Sequence, residues 1–143
     1  IISTLFSIVY VFCAAQSESD IFGEWFNEEK DAVVTIYKDG NSISGKTTWL
    51  KEPLDSKGNA KLDLKNPDEK LRSRKRMGLK IMHSFKYNDQ ENIWEDGRIY
   101  DPKKGKLYGG TATLVNENEL KLKGYIISMP FLGRTATWTR KTN

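Results

Sequence analysis

Apolar and polar side chains alternate with period two through most of the chain after residue 30, and clusters of turn residues break the alternation at short intervals. Residues 32–37 are rich in β-branched side chains, and Lys38-Asp39-Gly40-Asn41 follows, where Asp and Gly supply the positive φ of a tight hairpin. In residues 42–50, Ile43, Gly45, Thr47 and Trp49 share one face while Ser44, Lys46 and Thr48 share the other, the signature of a half-buried strand. Residues 79–87 alternate again, with Leu79, Ile81, His83 and Phe85 on one side. A polar turn at 88–92, a strand at 93–100, the turn Asp101-Pro102-Lys103-Lys104-Gly105 and a strand at 106–115 come next. A turn at 116–119 and strands at 120–126 and 134–139 complete the series. With a first strand at 22–26, the pattern predicts an all-β fold, an antiparallel up-and-down barrel of about eight strands.

No long stretch repeats apolar residues with helical spacing. The best helical candidate is 66–74, where Asn66 can cap, Pro67 suits the first helical position, and Asp68 and Glu69 favour the positive end of the helix dipole. It predicts one short helix inside the long connection at 51–78. Connections of that length are uncommon in small domains and often form lids or binding loops.

Residues 1–15 break the alternation altogether: they are almost wholly apolar, carry no charge and end in Cys13-Ala14-Ala15 before Gln16. The run is shorter than the roughly 20 residues a membrane helix needs. Small residues before Gln16 fit the narrow pocket of a signal peptidase, so 1–15 is expected to be a removed signal peptide and 16–143 a single domain. Without a Met or a basic segment ahead of the apolar run, the start is expected upstream of Ile1. The rival expectation is a lipoprotein leader with Cys13 lipidated, although Val11-Phe12 departs from a lipobox. Cleavage after Ala15 removes the only cysteine, leaving a domain held by its core alone. Charged residues at 29%, aromatics at 11% and hydrophobics at 38% make an ordinary globular balance and not a disordered one, and a net charge of +4 is too mild to imply a polyanion partner.

The two ends of the predicted barrel carry Gly23-Glu24-Trp25 and Trp138-Thr139-Arg140. First and last strands are neighbours in a barrel, so Arg140 is expected to lie on the Trp25 indole and close one end. This pairing resembles the Gly-x-Trp start and late Arg of the calycin superfamily, which contains the lipocalins. The wider set is Gly23-Glu24-Trp25, Gly45 with Trp49-Leu50, Asn66-Pro67-Asp68 with Leu71-Arg72, and Gly78-Leu79 with Ile81. It continues through Trp94 with Gly97 and Ile99-Tyr100-Asp101-Pro102, then Gly105-Lys106 with Tyr108, then Leu120 with Gly124-Tyr125. It ends in Phe131-Leu132-Gly133-Arg134-Thr135 with Trp138-Thr139-Arg140. In this order the set resembles the exported bacterial DUF2147 family, a domain of unknown function. That resemblance implies export, to the periplasm or cell envelope of a Gram-negative bacterium, and a lipocalin-like barrel. It implies no established activity, so no catalytic residue is carried over. The chain lacks the Thr-Asp-Tyr motif of true lipocalins and has an extended third connection.

Late strands offer Asp96, Arg98, Tyr100, Tyr108, Tyr125 and Arg134, alternating with small or apolar residues. Facing inward, they would grip a ligand's polar head while Trp49 and Trp94 line the walls; equally, they would fill the barrel with an internal network. The basic run 70–76 reads as a solvated loop or as a lid from which Arg72 or Arg74 reaches an anionic group at the barrel mouth. That run lacks interleaved aromatics and the chain reads as exported, so nucleic acid is not an expected partner. His83, the only histidine, has no recognisable nucleophile and acid beside it, and its expected role is in the core or on the surface. One histidine and no mature cysteine argue against zinc, and no calcium loop appears; no metal or cofactor is expected. The apolar connection at 126–133 is expected to fold inward as a plug, with an exposed membrane or partner contact as the alternative.

These residues favour an exported protein that binds a small, partly apolar or anionic ligand inside its barrel, without a transmembrane span in the mature chain. The alternative is a structural or protein-interaction module of the cell envelope with a filled barrel. An enzyme is not expected, because no convergent acid–base pair is visible.

Overall fold

The computed structural model describes residues 14–143. The expected leader at 1–15, with Cys13, lies outside the described residues except for Ala14 and Ala15.

Eight strands close into one antiparallel barrel in sequence order. They are β1 (Gly23–Phe26), β2 (Ala32–Asp39), β3 (Ser42–Leu50), β4 (Lys80–Asn88), β5 (Ile93–Asp101), β6 (Lys106–Asn116), β7 (Glu119–Ile126) and β8 (Met129–Arg140). Closure is made by β1 on β8, with Trp25 opposite Arg140 and Phe26 opposite Thr139. The Asp39-Gly40 signal is a hairpin turn as expected, with Gly40 at φ +62°.

Strict alternation fails at several register shifts, and three bulges among them turn the faces over. In β3, Val33 pairs with Trp49 and Val34 with Thr47, so Thr48 is an extra residue. Trp49 therefore faces out and Leu50 takes the inward position. In β4, Ser84 is inserted at φ +60°, and Met82 and Phe85 both bury. In β5, Asp96 at φ +58° is inserted between Trp94 and Gly97, both of which are buried.

Phe85 lies across the paired glycines Gly97 and Gly110. A Cβ on Gly97 would sit 2.3 Å from the Phe85 ring and one on Gly110 2.7 Å from it. Outside the barrel, the Tyr125 ring covers its cross-strand partner Gly109 in the same way, 2.1 Å from where a Cβ would be. The glycines thus give the aromatics their seats.

One end of the barrel is closed. A short 3₁₀ helix, Glu18–Ile21, crosses it, capped at Ser17. The Trp25 indole donates to the Ile21 carbonyl at 2.9 Å, and the Trp94 indole donates to that of Glu18 at 3.2 Å. The Arg140 guanidinium stands 4.2 Å from the Trp25 ring centroid. It also donates to the carbonyls of Phe22, Asp20 and Glu117 at 2.8, 2.6 and 2.5 Å. Arg140 thereby satisfies carbonyls of the N-terminal segment and of the β6–β7 turn, which a lysine, with a compact point charge, could not do together. Ile21, Ile36, Ile43, Met82 and Leu120 fill the space above.

The long connection between β3 and β4 is pinned to the barrel. Asp63, fully buried, accepts from the Tyr100 hydroxyl at 2.6 Å, from Asn66 at 2.8 Å and from Arg74 at 3.0 Å. Arg72 and Arg76 donate to the carbonyls of Asn66 and Leu62. This pinning corrects the helix expected at 66–74. Asn66 is drawn into the Asp63 network instead of capping, and only a single 3₁₀ turn, Glu69–Leu71, forms, capped by Asp68.

Candidate functional site

The end of the barrel opposite Arg140 is open, and a cavity of about 760 Å³ runs into it. Every strand runs between the two ends, so residues at one end of the alternation supply the deep wall and the adjoining turns supply the mouth. Val34, Leu50, Ile81, Ile99, Leu122, Ala136 and Trp138 make an apolar wall. Gly124 opens the wall further, and a Cβ built there meets nothing closer than Tyr108 at 3.8 Å. The mouth carries Lys51, Lys61, Arg76, Lys103, Lys104 and Arg134 against Glu29, Asp31, Glu52 and Asp101, a net cationic rim. Lys103 is paired with Asp31 at 2.7 Å and Lys61 with Glu52 at 3.7 Å. Lys51, Arg76 and Lys104 have no carboxylate within ion-pair distance among the described residues.

The residues singled out in the sequence divide into two groups. Tyr100, Tyr108, Tyr125 and Arg134 border the cavity. Tyr108 projects inward beside Gly124, whereas the Tyr125 ring lies over Gly109. Arg134 is exposed at the mouth and paired with Glu28. Tyr100 is tied to Asp63, and burial, that hydrogen bond and the Asp63 charge push its phenol up to about 12.

Trp49, Arg74, Trp94 and Arg98 do not meet the cavity, and each absence has a cause. Trp49 was turned outward by the Thr48 bulge and stacks edge-on against Phe26, ring centroids 6.1 Å apart. Trp94 is buried near the closed end, 4.8 Å from the Tyr87 ring centroid and bonded to Glu18. Arg98 follows the inward Gly97 on the opposite face and folds back on the Gly97 carbonyl. Arg74 is the partner of Asp63, a loop staple and not a lid group. The plug expected at 126–133 is corrected too. It forms the β7–β8 hairpin, and Phe131 is 79% exposed.

Sequence reading missed the apolar wall and the Asp63 acceptor. The wall was visible as Leu122 and Gly124 in β7 and Ala136 and Trp138 in β8, each pair spaced by two. Asp63 sits in irregular chain, where no periodicity marks burial. His83, on the face opposite the buried Met82, is half-buried; burial, then Lys80 and Arg74, lowers its pKa. It does not border the cavity. No set of three or more metal-ligating side chains converges among the described residues.

An eight-stranded up-and-down barrel, open at one end and sealed at the other by an N-terminal 3₁₀ helix, a Trp and a late Arg, is a lipocalin-like barrel. The same fold is found in a protein from the human pathogen Helicobacter pylori described as belonging to the lipocalin family. The two share 21% sequence identity with a TM-score of 0.64, over 78% of this chain and 73% of that one. Residues 23–140 match the family described as an uncharacterized protein conserved in bacteria, DUF2147, and the chain belongs to that family. No curated protein matches it by sequence. No helix among the described residues is long and apolar enough to cross a membrane.

Proposed function

We propose that the chain is an exported binding protein, not an enzyme, that holds a small amphipathic anion in its barrel. The apolar part would lie among Leu50, Ile99, Leu122 and Trp138, and the anionic head at the mouth beside Lys51, Arg76 and Lys104. The observation that carries this reading is an apolar-walled cup with a net cationic mouth. Its volume falls within the roughly 300–1,000 Å³ of small-molecule pockets. A barrel working with a filled interior would not retain that space.

The test compares two fluorescent probes of similar shape, the anionic anilinonaphthalene sulfonate and the uncharged N-phenylnaphthylamine. Both are expected to bind one to one, the anion about tenfold tighter at low salt, which corresponds to ~1.4 kcal/mol. Equal affinities would remove the anionic part of the reading, and no binding by either probe would remove all of it.

Export rests on the apolar start and its Ala14-Ala15 ending. N-terminal sequencing of chain recovered from the periplasm of a Gram-negative host is expected to begin at Gln16. Recovery from the cytoplasm alone, with residues 1–15 retained, would contradict it.

A further inference from the structure

Among the described residues, eleven large apolar side chains are exposed, and five of them fall within residues 126–132. Ile126 pairs with Met129 while Tyr125 pairs with Gly133, so Pro130, Phe131 and Leu132 are extra residues that bulge within β8. The result is a bulged hairpin finger that exposes Ile127, Phe131 and Leu132 together. Water-exposed apolar surface concentrated in this way marks a contact.

A single short hairpin buries little against a flat, rigid partner, whereas lipid moulds around it. The surroundings match the charge of one kind of lipid surface. The finger stands at the open end, where Ile126, Leu132 and Arg134 border the same cavity as Lys51 and Lys104. The two lysines lack carboxylate partners among the described residues. Apolar tip and cationic collar together form the pattern by which peripheral proteins hold anionic membranes.

We propose that the β7–β8 hairpin docks the barrel on an anionic lipid surface, with the tip among the headgroups and the cavity mouth turned toward the membrane. Docking requires only the finger and collar, so it stands or falls separately from what the cavity holds.

The chain from Gln16 contains the whole barrel and its closing helix and removes any contribution from the apolar run at 1–15. It should sediment with vesicles of phosphatidylcholine containing phosphatidylglycerol, and at least about tenfold less with phosphatidylcholine alone, the difference shrinking in salt. Phe131→Ser should lower partitioning about tenfold, the order expected for one buried aromatic side chain. Because Phe131 is exposed and does not border the cavity, F131S should keep the parent's thermal midpoint and its affinity for anilinonaphthalene sulfonate. Absence of vesicle binding, equal binding to both vesicles, or unchanged partitioning of F131S would each overturn the proposal. So would a dimer in sedimentation equilibrium that F131S dissolves while vesicles stay bare, which would assign the finger to a second copy of the chain.

Discussion

Gly124→Phe should abolish most probe binding while leaving the barrel intact. Gly124 lies in β7 on the cavity wall, and its φ lies outside the left-handed region. A Cβ there would meet Tyr108 and Ile99 only at 3.8 and 4.0 Å, ordinary contact distances. A phenyl ring at this position has nowhere to go but into the cavity, where it takes the volume a ligand would use. The expected loss of affinity for anilinonaphthalene sulfonate is at least tenfold, or ~1.4 kcal/mol. The thermal midpoint should hold or rise, since a strand glycine is replaced by a β-favouring residue with apolar neighbours. An unchanged affinity in a folded variant would place the probe outside the barrel. The contrast within the same sheet is sharp: at Gly97 or Gly109 the incoming Cβ meets an aromatic ring at 2.3 or 2.1 Å. Space at Gly124 is therefore reserved, while space at the other two is occupied.

Asp63→Ala should cost about 3 kcal/mol, because it strands three donors that now share one buried carboxylate. Tyr100 and Asn66 are themselves buried, so water cannot easily replace the lost acceptor. Urea unfolding measures the loss, and limited trypsin digestion should show new cleavage at Lys61, Arg74 or Arg76 as the connection loosens. Superimposable urea curves would show that the network does not hold the connection. The pH dependence follows from the same contacts. Burial alone would raise the Asp63 carboxyl, but hydrogen bonds from Tyr100, Asn66 and Arg74 and the Arg74 charge outweigh it and hold the group below the usual carboxylate range. A depressed folded pKa means the contribution is complete above the unfolded value and is lost as pH falls through the folded one. For Tyr100 the sign is opposite. Its phenol is pushed up to about 12, so its contribution is complete below the ordinary phenol value and fades as pH climbs from there through the folded one. Asp63→Ala should therefore flatten the acid limb of the stability profile, and Tyr100→Phe the alkaline limb.

The number and order of strands were legible because period-two patterning and turn chemistry agree along most of the chain. Asp39-Gly40 and the Asp101 to Gly105 turn fall where hairpins require them, and Trp25 and Arg140 meet as neighbours on β1 and β8. The cavity wall was less legible, and the reason is local. One inserted residue, Thr48, reverses the faces of β3, so that a correct alternation points Trp49 the wrong way. Asp96 does the same in β5, between Trp94 and Gly97. Thr48 gives no signal of its insertion, since Thr is ordinary in exposed strand positions, whereas Asp96 before Gly97 is a weak one, since Asp is depleted in strands. The arginines of 70–76 looked like a free basic surface because their acceptors are backbone carbonyls and a single distant aspartate, none of which a charge count reveals. The run at 126–133 is apolar, but its hairpin register turns it outward, because apolarity alone does not fix direction.

The seam between β1 and β8 has a bearing on how the chain comes to be folded. Trp25 waits for Arg140, more than a hundred positions later, before its end of the barrel is sealed. A chain delivered from its N-terminus, whether by a ribosome or through a narrow channel, presents β1 and β2 as an open sheet edge until β8 has followed. Contacts of such sequence separation form slowly, and unpaired edges attract other chains in the interval. The barrel is therefore a shape acquired in one late step, after the last strand arrives. A helper that shields extended β-strands would act on this chain before that step and find no purchase after it.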